Sequence, residues 1–336
     1  MIHEIQSSST STTRHTTSYL QCGTTNIAAP AMVFIHGWPE LGWSWRHQLP
    51  FFAEAGFRTY APDMRGYGHS STYNSHDAYA QQEVVADMLE FLDHIEADRA
   101  ILVGHDWGSP TVWSLGRHHP ERCLGLANLC VPYNTLENGW AGMLPHIDRA
   151  LYPEDQFPAG QWEYQCFYEE NFAAATAHFD SDPYLVAQLL FRKGNPDSAG
   201  QPAGTALTRI QGGFFGAGPM PDLPPDPDVV TEQDLQKFGE SLSRNTFFGP
   251  DSYYMNHNLN AAYAQTTPDP TLDLPVLFLH ARYDYTCETI TSTLAEPMRA
   301  ACRNLTERIV DSGHWMAQEK PNEVNQHLQN WLNQHF

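Results

Sequence analysis

Basic residues are scarce in this chain of 336 residues: 18 Lys and Arg stand against 39 Asp and Glu, a net charge of −21. A field of that sign repels phosphate backbones and anionic lipid, so neither nucleic-acid nor membrane-surface binding is expected. No apolar run approaches the roughly 18 residues of a spanning helix, so no membrane span is expected either. Cysteine is sparse. Cys22, Cys123, Cys130, Cys166, Cys287 and Cys302 include no C-x-x-C pair, a pattern of buried, reduced thiols rather than of a disulfide frame or a zinc site. The Ser/Thr-rich lead, 1–14, lacks the apolar stretch of a secretory signal, and the C-terminus carries no retention or peroxisomal address. A cytoplasmic location is the resulting expectation, with no metal centre. No interface signature marks an oligomer.

What the chain does have is core: 41% hydrophobic and 12% aromatic residues, enough to fill a sizeable interior. Segments 16–22, 31–35, 57–61, 100–103, 124–131, 275–279 and 305–310 predict strands, with 31–35 a short apolar run that stops at a turn. Between Gln81 and Ile95 the residues Val84, Val85, Met88, Leu89, Phe91, Leu92 and Ile95 keep helical spacing, and Val324, Leu328 and Leu332 mark a closing helix. Strands that are almost continuously apolar and alternate with helices predict a parallel sheet covered on both faces. The alternation breaks near Tyr133 and resumes near Leu274. The expected organisation is therefore a core of 1–133 and 266–336 with an inserted, mainly helical cap at 134–265. Inside the cap, 194–228 holds seven Gly and seven Pro, which predicts an irregular or mobile loop.

Gly104-His105-Asp106-Trp107-Gly108 sits where an apolar strand meets a helix. This is the small-x-nucleophile-x-small pattern of a strained strand-to-helix turn, with Asp at the position where hydrolases usually carry Ser. Taken alone, Asp106 suits a helix cap equally well. Asp284 and His314 decide between the readings, because each follows a predicted strand at the end where such sheets place their sites. Nucleophile, acid, histidine is also the chain order of an α/β-hydrolase, and 127–134 offers no rival carboxylate. His36-Gly37-Trp38-Pro39-Glu40 follows an earlier strand, where the backbone N–H of Trp38, with that of Trp107, could face one developing oxyanion.

Together, His36-Gly37-Trp38-Pro39-Glu40, Arg65-Gly66-Tyr67-Gly68-His69-Ser70, Gly104-His105-Asp106-Trp107-Gly108 and Gly313-His314-Trp315 resemble, in order, the motifs of soluble epoxide hydrolases. The resemblance runs from about residue 16 to the end. It implies an α/β-hydrolase core, with a mostly parallel eight-stranded sheet, helices on both faces and the inserted cap. It also implies two cap tyrosines that hold the epoxide oxygen. Tyr164 matches the first and Tyr254 the second, with Tyr168 and Tyr253 as the adjacent alternatives. With 35 residues before His36, the extra phosphatase domain of the mammalian members is not expected.

The chemistry that follows needs no cofactor. Asp106, ionised at neutral pH, attacks an epoxide carbon, and two phenols that stay neutral at pH 7 stabilise the departing oxygen. His314, oriented by Asp284, then activates water against the Asp106 ester, giving a vicinal diol. The expected partners are a small apolar epoxide and water, in a pocket that Phe34, His36 and Pro39 also line. A haloalkane dehalogenase is the rival, using the same ester chemistry but holding its halide with N–H donors. Trp38 stands where those enzymes carry Asn, and the tyrosine pair favours the epoxide.

Overall fold

The structure, a computed structural model, describes residues 4–336. Eight strands form one sheet: β1 Gln6–Ser11, β2 Thr16–Gly23, β3 Ala31–Ile35, β4 Arg58–Pro62, β5 Ala100–His105, β6 Cys123–Leu129, β7 Leu272–Ala281 and β8 Cys302–Val310. Their order is β1-β2-β4-β3-β5-β6-β7-β8. β2 runs antiparallel to both β1 and β4, and every other neighbouring pair is parallel. β3, β4 and β5 are buried at every residue; β3 and most of β5 read as apolar runs, whereas β4 buries Arg58 and Thr59, which donate to the Ile95 and Cys22 carbonyls. β1 was not legible as a strand. It lies at the sheet edge, pairs only with β2 and exposes much of its polar surface, so no apolar pattern marks it.

Helices cover both faces. α1 (Gln48–Glu54) packs on the C-terminal helix Pro321–His335, while α2 (Gln81–His94) packs on α3 (Gly108–His118), which lies on β5 and β6. Between β6 and β7 the described chain is helical or irregular. Its longest helices are Glu163–Asp180, Glu232–Asn245 and His257–Gln265, with Pro183–Leu190 next. Pro183 follows Asp182, whose carboxylate caps the Leu185 N–H at 3.0 Å, and Thr231 and Asp234 form a reciprocal capping box. Segment 194–228 holds only helical turns of four residues or fewer, as its Gly and Pro content predicts.

This topology delivers four loops to one edge. His36–Glu40 follows β3, Asp106 follows β5, Asp284 follows β7 and His314 follows β8. All four leave the carboxyl ends of parallel strands, where α/β sheets gather their chemistry.

Candidate active site

Asp106 sits in the left-handed region at φ 49°, uncommon for a residue with a side chain. The turn exists because its neighbours are glycines. A Cβ on Gly108 would strike the backbone oxygens of Ile35 and His36, and one on Gly37 would strike Asp106 itself. Gly108→Ala is expected to cost about 1–3 kcal/mol by overpacking, read as a lower urea midpoint at unchanged slope. A midpoint equal to wild type would mean that β3 and α3 pack less closely than described.

The two oxygens of Asp106 have different surroundings. Oδ1 accepts the Trp38 backbone N–H at 2.7 Å, whereas Oδ2 lies 3.6 Å from His314 Nε2. The other ring nitrogen of His314, Nδ1, is 2.6 Å from Asp284 Oδ2. Asp284 Oδ1 is in turn held by the Cys287 N–H at 2.9 Å and the Thr286 N–H at 3.2 Å. Burial alone would lower the pKa of His314, but the carboxylates of Asp284 and Asp106 outweigh it and hold the value well above normal. Burial pushes the Asp284 pKa up, yet its bonds to His314 and Cys287 leave it below the ordinary value.

Beneath the triad lies a second ion pair that sequence reasoning did not single out. His105 Nδ1 is 2.7 Å from Glu40 Oε2, which also takes the Gly37 N–H at 2.9 Å. His105 Nε2 is 2.8 Å from the His314 carbonyl oxygen. The pair thus ties the loop after β3 to the loop after β8. Burial opposes both charges, but their attraction wins, moving Glu40 down to about 2 and His105 up to about 10. The raised His105 pKa stabilises the fold fully below about 6.5, and that contribution is lost as pH rises through about 10. The depressed Glu40 pKa acts above about 4.5 and is lost as pH falls through about 2. Glu40→Gln is therefore expected to destabilise by about 3–5 kcal/mol, most strongly between these two ordinary values. Thermal melts across pH should show the wild-type advantage shrinking at both ends, and a gap independent of pH would dismiss the ion pair.

Asp106 opens into a cavity of about 130 Å³ that Trp38, Tyr164, Tyr254, Asp284 and His314 also line. The two tyrosine rings meet edge to face at 5.5 Å. Burial first, and the Asp106 charge among its neighbours, push both phenols well above their usual pKa, so both stay protonated at neutral pH. The adjacent tyrosines are placed elsewhere. Tyr253 donates to the Arg65 carbonyl at 3.1 Å, and Tyr168 is buried among Trp38, Phe179 and Tyr254. Trp107 buries its ring against Tyr253 and Tyr254, and its amide nitrogen lies with Asp106 Oδ1 over Gly37.

Comparison with known proteins agrees with this geometry. The family model of the alpha/beta hydrolase fold matches residues 30–321. Epoxide hydrolase A of Mycobacterium tuberculosis is 32% identical over 309 residues, covering 90% of both chains. The chain belongs to the epoxide hydrolase family. The mouse protein named bifunctional epoxide hydrolase 2 is 30% identical, and the match spans 91% of this chain but 52% of that one. Among solved structures, epoxide hydrolase A of Mycobacterium thermoresistibile superposes with a TM-score of 0.81 at 29% identity, covering 98% of each chain.

Within this family member, three pocket expectations need correction. Phe34 packs against Trp45 and Phe52 in the core and is fully buried there. His36 is a strut: its Nε2 accepts the Met64 N–H at 2.9 Å, and its Nδ1 faces the Gly37 carbonyl. Pro39, joined to Trp38 by a cis peptide, is buried and does not line the cavity. The lining that motifs did not reveal comes from Leu190, Thr205, Phe214, Thr286, Cys287 and Trp315. Thr286, Cys287 and Trp315 lie within three residues of the triad, a signal that nearness in sequence offered. All six cysteines are free, five of them buried. Among the described residues, no helix is long and apolar enough to cross a membrane.

Proposed function

We propose that this chain hydrolyses an apolar epoxide to a vicinal diol through an ester on Asp106. The observation that carries the reading is the unequal surroundings of the two Asp106 oxygens, in a cavity shared with two protonated phenols. Oδ2 attacks an epoxide carbon, the carbon–oxygen bond breaks, and its electrons move to the departing oxygen. Tyr164 and Tyr254, on the cap segment 134–265, stabilise that alkoxide and supply its proton. Oδ1 keeps its bond to the Trp38 N–H.

Esterification removes the Asp106 charge, one of the two carboxylates holding the proton on His314. The imidazole thereby shifts toward its neutral form at the step that needs a base. It takes a proton from water, whose oxygen attacks the Asp106 carbonyl carbon. The Trp38 and Trp107 amides hold the resulting oxyanion; its collapse breaks the ester carbon–oxygen bond, and the leaving alkoxide takes the proton of the newly added hydroxyl, giving the diol and restoring the Asp106 carboxylate. No step draws on a cofactor.

Halide chemistry is the weaker reading on one observation. The indole N–H of Trp38 donates to Asp251 at 2.9 Å and that of Trp315 to the Leu190 carbonyl at 2.5 Å. Trp38 and Trp315 are thus engaged by protein, which leaves the Trp107 indole without the second N–H donor that a leaving halide needs. The test is a single turnover of styrene oxide in oxygen-18 water, followed by mass spectrometry of diol and enzyme. Label should enter the Asp106 carboxylate first and reach the diol in later turnovers. Label in the first-turnover diol would mean direct water attack.

A further inference from the structure

Next to the catalytic cavity is a second one of about 180 Å³, lined by Phe167, Ala174, Ala175, His178, Phe179 and the glycines around Phe214. Phe214 is the one residue that lines both. Its ring stands about 6 Å from those of Trp38 (6.0 Å), Tyr164 (6.1 Å) and Phe179 (6.1 Å), closing the space between the cavities. Neither cavity alone reaches the roughly 300 Å³ at the lower end of ordinary small-molecule sites, and the two joined do.

The backbone that carries this ring is built to move it. Gly212, Gly213 and Gly216 have φ of 74°, 159° and 86° and carry no side chain to hold the segment, so beside Phe214 its anchor is Phe215, packed against His178 and Phe179. Its backbone bonds are local: Gly213 N–H to the Thr208 carbonyl and Gly216 N–H to the Gly213 carbonyl, both at 3.0 Å. Phe214 itself is only half-buried. Three alanines, three glycines and three phenylalanines line the outer cavity with His178, a mostly apolar surface that suits an alkyl chain.

We propose that Phe214 is a gate that sets substrate length, turning aside so that the unbranched alkyl tail of an epoxide lies in the outer cavity while its ring reaches Asp106. This rests on the epoxide-hydrolysis reading above. The test uses the homologous 1,2-epoxyalkanes from 1,2-epoxybutane to 1,2-epoxydodecane, with kcat/KM measured for wild type, Phe214→Ala and Ala174→Phe. Ala174 lies on the exposed side of its helix, so the added ring fills the outer cavity with little risk to folding.

Phe214→Ala should raise the dodecane-to-butane ratio of kcat/KM by about tenfold, and Ala174→Phe should lower it by about the same factor, the worth of roughly two buried methylenes. Ratios equal to wild type in both variants, with diol still formed, would overturn the gate and leave the hydrolysis standing. If wild type forms diol from no epoxide in the series or from styrene oxide, the functional reading fails and the gate falls with it. Thermal melts on both variants separate a change in selectivity from a loss of fold.

Discussion

His314→Gln is expected to stop the reaction halfway. In the proposed reaction, ring opening needs the Asp106 carboxylate and the two phenols, and none of these depends on a base at position 314. Hydrolysis of the ester does, because water is a poor nucleophile until a proton is removed. A general base contributes about 10²–10⁴-fold, so steady-state kcat should fall by about that range. The alkylated enzyme should accumulate, seen as a mass gain equal to the epoxide on the peptide that carries Asp106. The 3.6 Å from His314 Nε2 to Asp106 Oδ2 leaves the base beside the ester while Asp284 fixes the opposite nitrogen. A variant that turns over normally would remove His314 as the water activator. Loss of activity with no trapped adduct would place its role before ring opening.

The motifs behind this proposal were readable because the backbone there has little freedom. An elbow at φ 49° between a buried strand and a helix requires glycines at set positions, so 104–108 announces itself in one dimension. The buried strands β3, β5, β6 and β7 were equally legible, since a parallel strand covered on both faces must be apolar throughout. That same uniformity explains the misplacement of Phe34. Successive residues of a strand point to opposite faces, and a run of Ala-Met-Val-Phe-Ile gives no clue to which face meets the substrate. His36 misled for a related reason: its motif marks a position that is structurally demanding, and the demand is a hydrogen bond to Met64 rather than a substrate contact. The Glu40–His105 pair escaped notice because 65 residues separate the partners and neither stands in a charge pattern. From the chain between β6 and β7, Leu190 reaches the cavity at the last residue of its helix, and Thr205 and Phe214 on short or irregular segments, where no periodicity tells inside from outside. Tyr164 and Tyr254 were chosen there by resemblance alone, since helical spacing could not separate them from Tyr168 and Tyr253.

Replacing both Tyr164 and Tyr254 by Phe tests that choice and should give the largest loss short of removing Asp106. The departing oxygen of an epoxide is an alkoxide, far too basic to leave a carbon unaided. Each phenol offers one O–H, and the cavity holds no histidine other than His314 to replace it. With one tyrosine gone the other still donates, so a single variant should lose about 10²-fold in the rate of ring opening. With both gone, the remaining stabilisation is that of water in a small, largely apolar space, and the loss should reach about 10⁴-fold. The readout is the rate at which the Asp106 adduct forms in a single turnover, which isolates ring opening from ester hydrolysis. Tyr168→Phe and Tyr253→Phe serve as controls. Tyr253 holds the Arg65 carbonyl and Tyr168 lies in an aromatic cluster, so these changes should act on stability while leaving adduct formation close to wild type. An unaffected double variant would transfer the oxygen to other donors and reopen the halide reading. In that case the same variant should release bromide from 1-bromoalkanes as readily as the wild type.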